Sequence, residues 1–503
     1  MKKLSRLAAL VTGAELIGDD KDITSIQHDS RKVEAGTLFV AIPGVHVDGH
    51  TFIPQAVKQG AVAVLTTRRD ADVPAGVTKL VVPELQPALD AIVPFFHDYP
   101  ARAMRVIGIT GTNGKTTTSY LTRAILRHAG KKVGLIGTIQ IMIEDEVLPI
   151  HNTTPDVVEL QNTLALMRDK GMDYVVMEVS SHALDQNRVA GIEFDTAVFT
   201  NLTQDHLDYH KTMENYKLAK AKLFEHVSEL GAKQGKTAVV NIDDAAGQTM
   251  LDHASCAHLT YGIHAEDAAL RATDIDVRAD GAHFTLNHAS FGTMPLALHI
   301  TGIFNVYNVM SAVGAALAER IAPEHIRAVL ESFTAVPGRF ELVKAGQDFS
   351  VIVDYAHTPD GVENVLKTAR EIAKRKIIAV FGCGGDRDRT KRPIMGRLAA
   401  ELADIVIATS DNPRSEDPDF ILSEVEAGVK ERIGDKHHEC IPDRHEAIFR
   451  AVELAEKDDI VVILGKGHED YQILKDKTIH FDDREQARAA IAEKLEKIGK
   501  EHV

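Results

Sequence analysis

The chain has no tryptophan, and aromatic residues make up only 5% of its 503 positions. That argues against a broad stacking surface for single-stranded nucleic acid. Its three cysteines, Cys256, Cys383 and Cys440, form no CxxC pair, which disfavours a disulfide framework or a thiolate zinc site and fits a reducing cytosol. No stretch approaches the ~18 uninterrupted apolar residues of a membrane span. Basic residues are in the minority: 57 Lys and Arg against 73 Asp and Glu leave a formal net charge of -16, unsuited to general binding of nucleic acid or acidic membranes. The N-terminal run MKKLSRLAALVTGAEL is basic, but its apolar stretch is short and interrupted. It predicts an amphipathic first helix rather than a cleaved signal.

What is present is ordinary globular composition, 44% hydrophobic and 26% charged, over a length that favours about three domains. In the first ~100 residues the strand TLFVAIPG (37–44), the helical FIPQAVKQGA and the strand VAVLTT form a βαβ unit. HDYPARAMR (97–105) reads as a linker. VIGIT (106–110) then runs into GTNGKT and a helix, followed by the strands DYVVMEV, TAVFTNL and TAVVNID. IDVRADGAHFTLN reads as a hairpin around Asp-Gly. AVPGRFE (335–341) marks a second boundary. Beyond it FSVIVDYA, KIIAVFGC, DIVIATSDN and DIVVILGKG are four apolar strands separated by helices, suggesting an open, mostly parallel sheet with polar loops at the strand ends. The expected architecture is therefore three α/β domains: 1–100, 101–336 with a phosphate loop, and 337–503 with a Rossmann-like sheet.

Gly111, Thr112, Asn113, Gly114, Lys115 and Thr116 form the glycine loop between strand and helix. Such a loop lets backbone N–H groups approach a phosphate at the positive end of a helix. Lys115 would neutralise β/γ oxygens, and the Thr116 hydroxyl is placed for magnesium. The pattern G-x-x-x-x-G-K-[ST] would need glycine at Ile109; the glycine sits one residue earlier, at Gly108. The loop implies a nucleoside triphosphate but not a reaction, because kinases, switches, motors and ligases all use it.

Two further strand ends carry polar residues, MEVSSHALDQNR and NLTQDHLDYH. Loops at strand C-terminal ends converge on the phosphate crevice of such a sheet, so Glu178 and His206 are candidate ligands of a second magnesium. Lys220 lies on a helix whose apolar residues Leu218, Ala219 and Leu223 are expected on the buried side; taken alone it reads as a surface charge.

With these motifs quoted, the chain resembles the Mur ligase family nearly end to end: GTNGKT, NTTP, EVSSHALDQNR, NLTQDHLDYH, YxxAK, GxFNxxN, PGRFE, DYAHTP, GCGGDRDRTKRP, DNPRSE and GKGHE occur in the family's order. The resemblance is to the branch that adds the third residue of the peptidoglycan stem peptide. It implies an ATP-dependent, magnesium-dependent cytoplasmic ligase acting on UDP-N-acetylmuramoyl-L-alanyl-D-glutamate. Neither nucleic acid nor a membrane span is expected, and a monomer is expected.

The resemblance also implies residue roles. Lys220 matches the family lysine that carries a carbamate and so becomes a magnesium ligand, alongside Thr116, Glu178 and His206, with two magnesium ions implied. ATP would be held by Gly111 through Thr117, by Asn305 (adenine), Arg339 (phosphates) and Asp354 (ribose, with His357 beside it). Ser30, Val45, His46 and Val47 would touch the uridine portion. Asn152, Thr153, Thr154, Ser180, Gln186 and Arg188 would hold the sugar–peptide part. Asp411, Asn412, Pro413 and Arg414 match members that add meso-diaminopimelate, whose distal carboxylate a guanidinium can grip bidentately. Arg387, Gly465 and Glu469 would complete that site. Lys115, Lys220 and His206 are the catalytic candidates, with either His206 or Asp208 taking the amine proton. Closure of the third domain is expected to be required for chemistry.

Overall fold

Short Val-, Ile- and Leu-rich runs become the inner strands of three larger sheets in a computed structural model of the protein, which describes residues 1–501 except 45, 46, 151, 230 and 279. Two compact units result: Met1–Leu202, His206–Tyr261 and Ser311–Ile321 form one; Thr203–Asp205, Gly262–Met310 and Ala322–Val503 form the other.

The first unit contains two larger sheets, besides the two-stranded pair Lys2–Lys3 with Asp22–Ile23. The N-terminal sheet has the order Glu15–Ile17, Thr78–Val81, Ala61–Thr66, Thr37–Val40, Ser25–Gln27, parallel except at the Glu15–Ile17 edge. The expected βαβ unit is Thr37–Val40, the helix Ile53–Gln59 and Ala61–Thr66. The expected first helix is much shorter than the amphipathic run suggested. Only Leu4–Ala8 is helical, burying Leu4 and Leu7. The following Val-Thr-Gly is poor in helix propensity, and Gly13 takes φ 80° before the strand Glu15–Ile17 begins.

The central sheet runs in parallel through Val133–Ile136, Tyr174–Glu178, Arg105–Thr110, Thr196–Phe199, Thr237–Asn241 and Ala257–Gly262. A hairpin, Ile141–Ile143 with Glu146–Leu148, adds antiparallel strands at one edge. After Arg105–Thr110 the chain builds outward to one side and then returns to build on the other. The polar loops after 110, 178 and 199 thus share one edge of the sheet, the usual ligand position in open α/β folds. Val157 and Val158, on the helix Val157–Asp169, enter the same apolar core as the N-terminal sheet, which merges the first ~100 residues with the central sheet into one unit.

Helix Met213–Ser228 corrects two expectations. Tyr216, Ala219, Lys220, Ala221, Leu223, Phe224 and Val227 are its buried residues, all but Ala221 on one stripe of 3.6-residue period. Leu218 falls outside that stripe and is 41% exposed, while Lys220 is 1% exposed. The lysine is therefore a core residue and not the surface charge that its sequence neighbourhood suggested.

In the second unit, Leu270–Arg278, Gly281–His288 and Gly292–Leu298 form an antiparallel meander. The hairpin register pairs Arg278 with Gly281, and the third strand was not expected. The C-terminal sheet has the order Glu341–Leu342, Ser350–Asp354, Ile460–Leu464, Ile377–Cys383, Ile405–Ser410, His437–Ile441, parallel except at Glu341–Leu342. All four apolar strands are inner strands of it. His437–Ile441 escaped notice because an edge strand with exposed alternate faces (HHECI) lacks an apolar run. Apolar cores cover both faces of this sheet.

Candidate active site

In the first unit, the turn after Arg105–Thr110 is built on glycine. Gly111 has φ 152°, and a Cβ there would lie 1.9 Å from Thr200 Oγ1, so no other residue fits. The loop is braced by the neighbouring strand end: Thr112 N donates to Asn201 O at 2.8 Å, Asn113 N to Asn201 Oδ1 at 2.9 Å, and Thr200 Oγ1 to Asn113 O at 2.7 Å. Gly114, at φ 84°, opens the helix Lys115–His128. Lys115 Nζ curls back over the loop and donates to Gly111 O at 2.9 Å and Thr112 O at 2.8 Å.

Three of the expected metal-site residues meet this loop. Thr116 Oγ1 donates to Glu178 Oε2 at 3.1 Å. Glu178 is fully buried and also accepts Thr138 N at 3.0 Å and Thr138 Oγ1 at 2.9 Å; Thr138 was not singled out from sequence. Lys220 Nζ donates to Gly111 O at 2.8 Å and stands 4.4 Å from the centre of the Tyr216 ring. Tyr216 in turn bonds Thr112 Oγ1 through its hydroxyl at 3.1 Å. His206 has its ring 5.9 Å from Tyr216 and 4.8 Å from His182. It adopts φ 53°, a left-handed conformation that is costly away from glycine. Burial, then the neighbouring His206, holds the His182 imidazole below its usual range, and burial does the same to His210.

The residues expected to grip the sugar–peptide moiety adjoin Glu178. Thr154 Oγ1 donates to Glu178 O at 2.9 Å and accepts Ser180 N at 3.0 Å; Thr153 Oγ1 lies 3.1 Å from Thr138 Oγ1. Arg188 donates to Thr154 O at 3.0 Å and to Gln186 Oε1 at 2.7 Å. Asn152 is exposed at the rim. Ser30 bonds Gln55 Oε1 at 3.3 Å and lines a cavity of about 840 Å³ with His28, Phe52, Gln55 and Asn162. Val47 is exposed. Val45 and His46, also expected to touch uridine, lie outside the described residues.

The second unit holds the other candidates in two groups. Asp354, at the end of Ser350–Asp354, accepts Phe340 N at 2.7 Å and Ala356 N at 2.8 Å, tying PGRFE to DYAHTP. Burial raises its pKa, against the pull of Arg339. The Arg339 guanidinium lies 5.0 Å from the Tyr355 ring centre. His357 Nδ1 is 2.8 Å from Tyr355 O, and burial lowers its pKa. Asn305, buried, donates to Thr301 O at 2.8 Å.

The second group forms a polar cradle at the ends of Ile377–Cys383, Ile405–Ser410 and Ile460–Leu464. Arg414 Nη1 donates to Gly385 O at 2.9 Å and Asn412 O at 3.3 Å. Gly385 must be glycine, because a Cβ would lie 1.9 Å from Pro413 O. Asn412 Nδ2 donates to Glu469 Oε2 at 2.9 Å. Gly465, at φ 118°, brings the backbone near the Asp411 carboxyl. Arg387 is exposed and, among the described residues, bonds only its neighbour's carbonyl, Asp386 O, at 3.1 Å. Beneath the cradle, Arg392 is buried and grips Glu416 through both oxygens, at 2.8 and 2.9 Å, joining the GGDRDR and DNPRSE loops. Its place inside a charged run concealed it from sequence inspection.

Comparison with known proteins covers most of the chain. Residues 22–105 match the Mur ligase family, catalytic domain; residues 109–316 match the Mur ligase middle domain; residues 338–467 match the Mur ligase, glutamate ligase domain. The UDP-N-acetylmuramoyl-L-alanyl-D-glutamate--2,6-diaminopimelate ligase of Syntrophomonas wolfei is 45% identical over 476 residues, covering 95% of this chain and 96% of the relative. The protein of the same description from Geobacillus thermodenitrificans is 48% identical over 478 residues, with 95% and 96% covered. A solved structure described by the same ligase name superposes with a TM-score of 0.66 at 35% identity, over 94% of this chain and 95% of the other. A MurF ligase from Thermotoga maritima in complex with ADP shares the fold, with a TM-score of 0.64 at 19% identity, over 94% and 98%.

Proposed function

The chain belongs to the Mur ligase family, and from that footing we propose that it is the ATP-dependent ligase joining meso-diaminopimelate to the D-glutamyl γ-carboxylate of UDP-N-acetylmuramoyl-L-alanyl-D-glutamate. The observation that carries this reading is the gathering of Thr116, Glu178 and Lys220 on one glycine loop, through Thr116 Oγ1 to Glu178 Oε2 at 3.1 Å and Lys220 Nζ to Gly111 O at 2.8 Å. In this reading residues 1–100 hold the UDP moiety, 101–336 hold ATP, and 337–503 hold the incoming amino acid.

The chemistry follows from the poor leaving ability of a carboxylate oxygen. The γ-carboxylate attacks the γ-phosphorus of ATP, ADP departs, and the acyl phosphate forms. The diaminopimelate amine then attacks the carbonyl and phosphate leaves. Lys115, whose ammonium hangs over the loop, takes up charge on the transferring phosphoryl group. The amine must lose a proton to attack, and His206 or Asp208 is the candidate acceptor. Asn305, Arg339 and Asp354 bind adenine, phosphates and ribose. Ser30 and the turn of Val45, His46 and Val47 bind uridine; Asn152, Thr153, Thr154, Ser180, Gln186 and Arg188 orient the sugar–peptide carboxylates. Arg414 holds the distal carboxylate of the acceptor and Asp411 and Glu469 its ammonium, while Arg387, Asn412, Pro413 and Gly465 complete the pocket.

Magnesium fits the donors present. Glu178 is a buried carboxylate already surrounded by the Thr116 and Thr138 hydroxyls, the hard oxygen set that magnesium prefers. Among the described residues no three His, Cys, Asp or Glu side chains are arranged to hold a metal by themselves, so Thr116, Glu178 and His206 call for a further anionic ligand. A carbamate on Lys220 would supply one, and its burial beside the loop supports that assignment. Bound magnesium would offset the negative charge of the triphosphate.

The direct test follows ADP release with combinations of substrates. Release should require both the UDP-dipeptide and diaminopimelate, and radiolabelled diaminopimelate should enter the UDP product in preference to lysine. Hydrolysis or phosphotransfer without amide formation would overturn the proposal.

A further inference from the structure

Lys466 stands at the centre of the acceptor cradle, and the chemistry above gives it no task. Its side chain is fully buried. Nζ lies 3.0 Å from Glu469 Oε2, 3.2 Å from Asn412 Oδ1 and 3.7 Å from Asp411 Oδ1, and 5.4 Å from the Tyr471 ring centre. A buried ammonium persists only where it is paired, so these contacts fix its position closely. They also fix the cradle. Glu469 Oε2 takes bonds from both Lys466 and Asn412, and neither of them engages Oε1. Asn412 is locked from the other side, its Oδ1 accepting Ile473 N at 2.9 Å, while Gln472 Nε2 holds Asp411 O at 2.7 Å.

Charge gives this arrangement a consequence for specificity. Asp411 and Glu469 would carry two negative charges, and Lys466 cancels one. The neighbouring pair Arg444 and Asp483 is buried and self-neutral, bonded at 2.6 and 2.7 Å. With the exposed Arg387 screened by solvent, one negative charge is left for one ammonium, with Arg414 nearby for one carboxylate. That balance suits a zwitterionic amino-acid centre and disfavours a bare cation. We propose that Lys466 is a positioning residue of the acceptor site, which aims Glu469 and sets the local charge so that a zwitterionic distal centre is accepted over a simple amine. The inference rests on the acceptor-site reading given above and deepens it.

The test measures kcat and KM of the full-length protein with meso-diaminopimelate and with L-lysine, at saturating ATP and UDP-dipeptide. Lys466→Met is expected to raise KM for diaminopimelate about tenfold or more with KM for ATP unchanged. It should also lower the diaminopimelate-to-lysine ratio of kcat/KM about tenfold, because the cradle becomes one unit more negative and tolerates a cationic acceptor. Should Lys466→Met unfold the domain, the charge-balanced double variant Lys466→Met/Glu469→Gln decides. If Lys466 acts through Glu469, the double variant should lose no more than about twofold beyond Glu469→Gln alone. An unchanged KM for diaminopimelate, an equal loss with both acceptors, or additive losses in the double variant would each overturn the inference. Arg414→Ala separates the layers. Wild-type protein that uses diaminopimelate and loses it on Arg414→Ala, but keeps it on Lys466→Met, overturns the role of Lys466 alone. Wild-type protein that does not use diaminopimelate overturns both.

Discussion

Thr116 and Glu178 share a hydrogen bond, Thr116 Oγ1 to Glu178 Oε2 at 3.1 Å. It joins the first turn of the helix Lys115–His128 to the end of the adjacent parallel strand, and it places the fully buried carboxylate beside the glycine loop. Glu178→Gln keeps the size and the acceptor oxygen but removes the charge. The expected outcome is a fall in kcat of about 100-fold with a higher magnesium requirement, and little loss of stability. A magnesium titration of ADP release checks it; an unaltered magnesium dependence would count against the metal assignment.

Lys220 lies 2.8 Å from Gly111 O at 1% exposure. If its amine carries a carbamate, activity should fall in buffers stripped of carbon dioxide and return on adding bicarbonate. Lys220→Ala should be inactive in both. Carbon-13 NMR after labelling with ¹³C-bicarbonate should show a carbamate resonance that Lys220→Ala lacks, and a spectrum identical in the two proteins would refute the modification.

Arg414 reaches the cradle from a left-handed backbone, φ 53°. A charged hydrogen bond to the distal carboxylate is worth about 1.5–3 kcal/mol. Arg414→Lys should therefore reduce the preference for diaminopimelate over lysine by roughly 10- to 100-fold, since an ammonium cannot copy the planar fork. Competition between the two labelled amino acids measures this, and an unchanged ratio would place the specificity elsewhere.

His28 Nε2 and Asp156 Oδ2 are 2.9 Å apart and link the N-terminal sheet to the helix Val157–Asp169. Burial lowers the His28 pKa, but the hydrogen bond and charge of Asp156 outweigh it and the net direction is up from 6.5. Burial pushes Asp156 up, but the bond and charge of His28 together with the Val158 and Glu159 backbone N–H groups outweigh it, so it lies below 3.8. A raised histidine contributes stability fully below its unfolded pKa and loses it as pH rises through the folded value. A depressed carboxylate contributes above its unfolded pKa and loses it as pH falls through the folded value. The pair therefore helps most between about pH 4 and 6.5. With Asp156 41% exposed, the contribution stays below about 1 kcal/mol. The Tm difference between wild type and His28→Gln should peak near pH 5 and fade as pH rises through the raised His28 value; a flat difference would show that the charge pair does not matter.

Strands buried on both faces were the most legible part of the fold. Ile377–Cys383 and Ile460–Leu464 are unbroken apolar runs because helices cover both sides of their sheet. His437–Ile441 was invisible because it lies at the edge. The phosphate loop was legible because its backbone geometry demands glycine at fixed spacing. Thr138, Arg392 and Lys466 were not, because a threonine in an irregular segment, an arginine inside a charged run and a lysine between two glycines carry no periodic signal.

The order of the motifs along the chain was enough to indicate the family, the nucleotide loop and the residue types that the chemistry requires, since each depends on neighbours a few positions away. Only the tertiary structure decided which of them meet. Thr116 and Glu178 are 62 positions apart, and Lys220 is 109 from Gly111. Such contacts are made by the packing of parallel strands and the helices that cross between them, and the same packing turned Lys220 inward and Leu218 outward on a helix whose local sequence suggested the reverse.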